Sequence, residues 1–219
     1  MASPMAVWRT LAGKKAVMAV TGVVLVLFII EHMLGDLLVF ADPEKLNGYS
    51  HLLKHTIIEV TWALRAGLLV SLILHVVAAI QVAAASRAAR PVAYAVKKDI
   101  ATSYAARTMR ITGPLLLVYL VYHLMMFTFL TTGPGYSETD VHRNVVLAFS
   151  VPWIAGVYIA AMLMLGTHLY HGVWSMLQTL GRGRAKHPTL RRVVAPAFAL
   201  VVTAGYVSIP LAVLAGLVK

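Results

Sequence analysis

Apolar residues in this chain come in five long unbroken runs, not in the short alternating or one-faced patterns of a water-soluble fold. The runs predict helices over residues 16–40, 58–86, 110–131, 145–179 and 193–217. Each is long enough to cross about 30 Å of hydrocarbon, which takes about 20 residues of helix, and a helix satisfies its own backbone hydrogen bonds where no water is present. Turn-forming residues separate the runs: Pro43, Arg90-Pro91, Gly133-Pro134-Gly135 and Gly181-Arg182-Gly183-Arg184. The expected architecture is all-α, an integral membrane five-helix bundle forming one domain over residues 1–219. The first run follows Lys14 and Lys15 as a signal peptide's would, but it outlasts a typical signal h-region and carries Glu31, His32 and Asp36, so it reads as a retained helix.

Composition agrees with a bilayer setting. Hydrophobic residues make up 60% of the 219 and charged residues 12%, too little polar sequence to clothe a soluble globule. The absence of cysteine excludes disulfides, thiolate metal sites, cysteine-held iron–sulfur clusters and covalent haem attachment within this chain. A net charge of +11 would suit nucleic acid, but the basic residues gather in the connections and mostly on one side, so no nucleic-acid partner is expected.

With the N-terminus inside, that side holds Arg9, Lys14, Lys15, Arg87, Arg90, Lys97, Lys98, Arg107, Arg110, Arg182, Arg184, Lys186, Arg191 and Arg192, fourteen of the 19 lysines and arginines. Only Lys45, Lys54, Arg65, Arg143 and Lys219 fall elsewhere. The positive-inside rule therefore predicts a cytoplasmic N-terminus and an external C-terminus in the cytoplasmic (inner) membrane. The fourth run is longer than a span requires. Its inner end, with Trp174, Ser175 and Gln178, is expected to project into the cytoplasm and, with the basic loops, to offer a docking surface for a soluble partner.

Four of the nine histidines, His32, His75, His123 and His168, lie well inside the runs, where ionisable residues are costly and usually functional. At about 1.5 Å of rise per residue, His32 lies about 24 Å from the inner start of its helix and His123 about 20 Å beyond Arg110. His75 and His168, on helices of the opposite direction, lie about 26 to 35 Å from their outer starts. Two level pairs result, His32 with His123 in the outer half and His75 with His168 in the inner half. Two imidazoles at one level match bis-histidine ligation of haem iron, and a four-helix core is a common place for it. Zinc or copper would also accept a pair, but a structural zinc site wants four ligands, and the helices offer no second ligand at matching depth. Two b-type haems are expected, in a core made by the first four helices.

Glycine spacing supports this. Thr21-Gly22 and Thr112-Gly113 each precede a candidate ligand by ten residues from glycine to histidine, about 15 Å, which carries Gly22 and Gly113 to the level of the inner pair. Gly67 lies eight residues before His75 and Gly156 twelve before His168, near the outer pair. A flat macrocycle needs such clearance where it passes a backbone; helix–helix packing through small residues explains single glycines equally well. His171, one turn from His168, is expected as a propionate partner or alternative ligand. Arg107 and Arg110 are candidate propionate donors or plain inside-positive anchors. At the outer end, His51, His55, Glu59 and Arg65 cluster at the start of the second helix and Asp36 lies one turn beyond His32. Glu59, His55 and Asp36 are thus candidates for a quinone head group, which needs hydrogen-bond partners and a proton route; a solvated helix entrance is the plainer reading.

The stretches AGKKAVMAVTGVVLVLFIIEHMLGDL (12–37), SYAARTMRITGPLLLVYLVYHL (103–124) and HLYHGVWSMLQTLG (168–181) resemble the cytochrome b558 membrane-anchor subunit of succinate dehydrogenase and fumarate reductase in its single-subunit, two-haem form. The resemblance implies axial ligands at His32, His75, His123 and His168, the last favoured over His171 because it stands four residues before Gly172. It also implies an iron–sulfur subunit and, through it, a flavoprotein subunit on the cytoplasmic side. Electrons would pass through the haems to or from a quinone, commonly menaquinone, with dicarboxylate catalysis residing in another chain. Relatives place an acidic residue near the outer haem, for which Glu59 is the nearest analogue here.

Two other functions fit the same residues: the cytochrome b subunit of a hydrogenase or formate dehydrogenase, and a haem-free transporter using intramembrane His and Glu as a proton relay. The transporter would need polar substrate groups near the midplane, where serine, threonine and acidic residues are sparse.

Overall fold

The computed structural model describes residues 8–89, 104–133, 135–181 and 188–219. The expected turn residues Arg90-Pro91, Pro134, Arg182, Gly183 and Arg184, and the basic residues Lys97, Lys98 and Lys186, lie outside them. The described residues are helical with no strand, and five helices are long and apolar enough to cross a membrane. We number the helices α1 (Leu11–Asp36), α2 (Pro43–His51), α3 (Ile58–Ala88), α4 (Tyr104–Phe127), α5 (Val141–Phe149), α6 (Pro152–Thr179) and α7 (Pro188–Leu214). The spans are α1 with its 3-10 extension Leu37–Phe40, α3, α4, α6 and α7.

Local chemistry sets the ends. The Thr10 hydroxyl caps α1 by accepting from Gly13 N–H at 2.9 Å. Asp42 caps α2 by accepting from Glu44 N–H, with Pro43 at the first helical position. The expected fourth helix over 145–179 is corrected to two, α5 and α6, broken at Ser150 and Val151. Pro152 has no N–H to give the preceding turn and forces Val151 into an extended conformation, so the chain restarts with Pro152 in the first turn of α6. The third helix begins six residues earlier than expected, at Tyr104, and stops at Phe127 instead of 131. Leu130 adopts a left-handed φ of 54° that no helix continues through, and Thr131 N–H bonds back to the Met125 carbonyl. The fifth runs over 188–214 where 193–217 was expected. The loop helices α2 and α5, with a π turn at Leu52–Thr56, were not anticipated.

α6 is the centre of the bundle. It packs against α7, α4 and α1, and α1 carries α3 on its far side. α6 buries eight residues, including Ala155, Tyr158, Ala161, Gly166 and Leu169, whereas α3 buries only Thr61 and Ala78. α7 braces α6 and α1 through small residues: a side chain at Gly166 would strike Thr203, one at Gly205 would strike Met33, and the Tyr206 hydroxyl donates to the Ile29 carbonyl at 2.9 Å. At one end, α2 and α5 are cross-linked. The Asn47 side chain donates to Asp140 Oδ1 and accepts from His142 N–H, each at 3.0 Å, and Lys54 donates to the Glu138 carbonyl.

Candidate functional site

The four intramembrane histidines sit on four different spans, His32 on α1, His75 on α3, His123 on α4 and His168 on α6. Since the main packing runs α3 to α1 to α6 to α4, each level pair lies across a diagonal of this group.

The His32 and His123 rings meet directly, centroids 5.8 Å apart and nearly perpendicular at 81°. Phe28, one turn before His32, stacks on it at 5.2 Å. Tyr119, Phe127 and Tyr158 surround the His123 ring at 5.6 to 6.0 Å, and the Tyr158 hydroxyl lies 3.3 Å from His123 Nδ1. His32 Nε2 faces Asp36 Oδ2 at 3.7 Å.

The inner level is built differently. Gly22 on α1 faces His75: a Cβ there would stand 3.5 Å from His75 Cε1. Gly113 on α4 faces His168 in the same way, at 3.8 Å from Cε1. His75 Nδ1 lies 3.1 Å from the Met18 carbonyl oxygen and 3.3 Å from the Thr21 hydroxyl. His168 Nδ1 is buried with no hydrogen-bond partner among the described residues. No ring contact joins His75 to His168 among the described residues. At Gly67 and Gly156 a side chain would meet nothing within 4 Å. These two glycines border open space.

The remaining candidates scatter. His171 is half-buried one turn below His168, and Arg107 and Arg110 are exposed on the first turns of α4. Of the three quinone candidates, only Asp36 comes against an intramembrane histidine. His55 instead lies beside His51, ring centroids 4.6 Å apart, and Glu59 is exposed with no ion pair or hydrogen bond among the described residues. Glu31 accepts a hydrogen bond from Tyr49 of α2 beside a groove of about 460 Å³ lined mainly by Leu27, Ile30, Leu34 and Leu38. Tyr158 and Met18 were missed at the level of sequence. Tyr158 left one usable trace, a hydroxyl-bearing ring inside an apolar run. The Met18 contribution is a backbone carbonyl and left none.

Among the described residues no three metal-binding side chains cluster, so a closed structural zinc site finds no ligand set. Paired imidazoles, an orphaned buried Nδ1 and side-chain-free backbone facing the inner rings all fit a flat macrocycle ligated on its two faces.

Fold and site together define a five-span helical membrane protein with paired intramembrane histidines. Residues 83–207, over half of the chain and including His123 and His168, match the family model described as succinate dehydrogenase/fumarate reductase transmembrane subunit, and the chain belongs to that family. No curated protein and no solved structure matches it.

Proposed function

We propose that this chain is the di-haem cytochrome b anchor of a succinate:quinone oxidoreductase. In this reading it carries electrons between a cytoplasmic iron–sulfur subunit, itself joined to a flavoprotein subunit, and quinone in the cytoplasmic membrane, menaquinone being the expected species. The carrying observation is the arrangement of four imidazoles from four spans as two diagonal pairs, with glycine backbone against the rings of the inner one.

His32 and His123 would hold the outer haem and His75 and His168 the inner one. When bound, haem supplies one-electron chemistry at an iron whose potential the protein tunes. The chain's own residues set the conditions for that chemistry. The apolar spans exclude water, the Tyr158 hydroxyl and the Met18 carbonyl fix the rotation of two imidazoles, and Gly22 and Gly113 keep side chains off the inner rings. Arg107, Arg110 and His171 are suited to propionate carboxylates on the basic side of the bundle. Asp36, 3.7 Å from His32, supports quinone protonation at the outer level. The excess of basic residues on the side of Arg9, Lys14, Lys15, Arg87, Arg107 and Arg110 supports an inside N-terminus and soluble partners on that face.

The test is to purify the complex by a tag on this chain and add succinate anaerobically. A flavoprotein is expected to co-purify, and succinate is expected to reduce part of the b-type absorbance. A purified complex that oxidises succinate while its b-type absorbance stays unchanged, or one that carries a hydrogenase or formate dehydrogenase instead, contradicts the reading.

A further inference from the structure

His75 lies on the least buried of the spans, yet one nitrogen of its ring is fixed. Nδ1 is 3.1 Å from the Met18 carbonyl oxygen. A carbonyl only accepts, so Nδ1 carries the hydrogen and Nε2 keeps the free lone pair. The second partner, Thr21 Oγ1, has its own single hydrogen directed to the Val17 carbonyl at 2.8 Å. Its lone pairs are therefore left for the Nδ1 hydrogen at 3.3 Å. The next residue is Gly22, whose missing side chain lets the Cε1 edge of the same ring approach.

The other inner histidine meets a second copy of the same pair. Gly113 faces the Cε1 edge of His168, and Thr112 precedes it. The Thr112 hydroxyl spends its hydrogen on the Thr108 carbonyl at 3.2 Å, again leaving an acceptor. Here the adjacent ring nitrogen, His168 Nδ1, is buried and has no partner among the described residues. On the His75 side the threonine oxygen and a backbone carbonyl have closed on the ring nitrogen; on the His168 side neither has.

We infer that each Thr-Gly pair is a positioning unit for an inner-level ligand. Glycine admits the ring edge, and threonine accepts the Nδ1 hydrogen so that Nε2 is presented to the iron. Thr21 does this for His75 together with the Met18 carbonyl, and Thr112 is its counterpart for His168. The inference rests on the haem reading above. An accepted Nδ1 hydrogen makes the imidazole a stronger donor and favours ferric iron. Losing the acceptor therefore raises the midpoint potential of the inner haem alone.

The experiment is an optical redox titration with electron paramagnetic resonance of the ferric haems, on the purified complex carrying Thr21→Val, Thr21→Ser or Thr112→Val. His75→Ala identifies the inner wave as the one it removes. Thr21→Val and Thr112→Val are expected to raise that wave and leave the other in place, and Thr21→Ser to restore it. If Thr21→Val instead loses the inner haem, recovery by Thr21→Ser carries the same conclusion. An unmoved inner wave with either valine, an equal shift of both waves, or a Thr21→Ser protein as altered as Thr21→Val overturns the inference. An unsubstituted protein without haem would instead sink the haem reading before any variant is made.

Discussion

The outer and inner halves of the bundle hold their histidine pairs by different means. In the outer half aromatic side chains gather around the histidine pair. His32 and His123 touch, a layer of Phe28, Tyr119, Phe127 and Tyr158 packs around them, and the α2–α5 cap closes that end through Asn47, Asp140 and Asn144. In the inner half the rings meet backbone: glycines at 22 and 113 and the Met18 carbonyl. Aromatic rings make a site by surrounding it, each pair adding roughly 0.5–1.5 kcal/mol beyond its buried area. Glycine makes a site by staying out of the way, so its contribution appears only when a side chain is added. The outer half should therefore resist small changes and the inner half should not.

The largest effect separates the halves. His75→Ala or His168→Ala is expected to remove one of two haems while the other keeps its spectrum, and His32→Ala or His123→Ala to remove the complementary one. Haem-to-protein ratio with low-temperature spectra checks this, and loss of the same haem from His32→Ala and His75→Ala would break the pairing. Next in size, Gly22→Leu or Gly113→Leu puts a branched side chain onto an inner ring and should cost most of the inner haem without touching the outer.

A change in the outer cap should be local and moderate. Asn144 is buried and holds both backbone groups of Ser137, its Oδ1 accepting at 2.8 Å and its Nδ2 donating at 2.6 Å. Asn144→Ala leaves them unpaired, at about 1–3 kcal/mol. Hydrogen exchange should speed in 135–149 while haem content is unchanged. The same cap should depend on pH. The Arg143 N–H, then the Asn47 amide, hold the Asp140 carboxyl below the ordinary carboxylate range. A depressed folded-state value means stabilisation that is complete above the unfolded value of about 3.9 and lost as pH falls through the lower folded one. Exchange in α5, corrected for intrinsic rate, should therefore quicken below about pH 3.9 in the native chain and be flat in Asp140→Asn. The smallest effect is Tyr158→Phe, which removes one hydroxyl beside His123 and should move only the outer wave. A shift of the inner wave instead would undo the division into halves.

Much of this was legible because membrane helices obey two simple rules, length against bilayer thickness and rise per residue. Those rules located five spans and put Gly22 and Gly113 at the depth where they now face His75 and His168. What escaped depended on events that run length does not record. The Pro152 break lies within an apolar run, so 145–179 read as one helix. α2 is polar and short, and its helicity comes from an Asp42 cap and tertiary bonds to 135–149. The packing of α7 is carried by small residues: Gly205 and the Thr203 opposite Gly166 mark close approach only once the partner helices are known. Glu31 had no visible role until α2 brought Tyr49 to it, and Glu59 stands exposed on the first turn of α3.

The account depends on four imidazoles acting as two iron-ligand pairs, and the most direct measurement is haem stoichiometry. Pyridine haemochrome quantitation on the purified chain, with its dithionite-reduced minus oxidised spectrum, is predicted to give two b-type haems per polypeptide. A colourless preparation of folded protein, or a single haem that survives loss of either member of one pair, would contradict it.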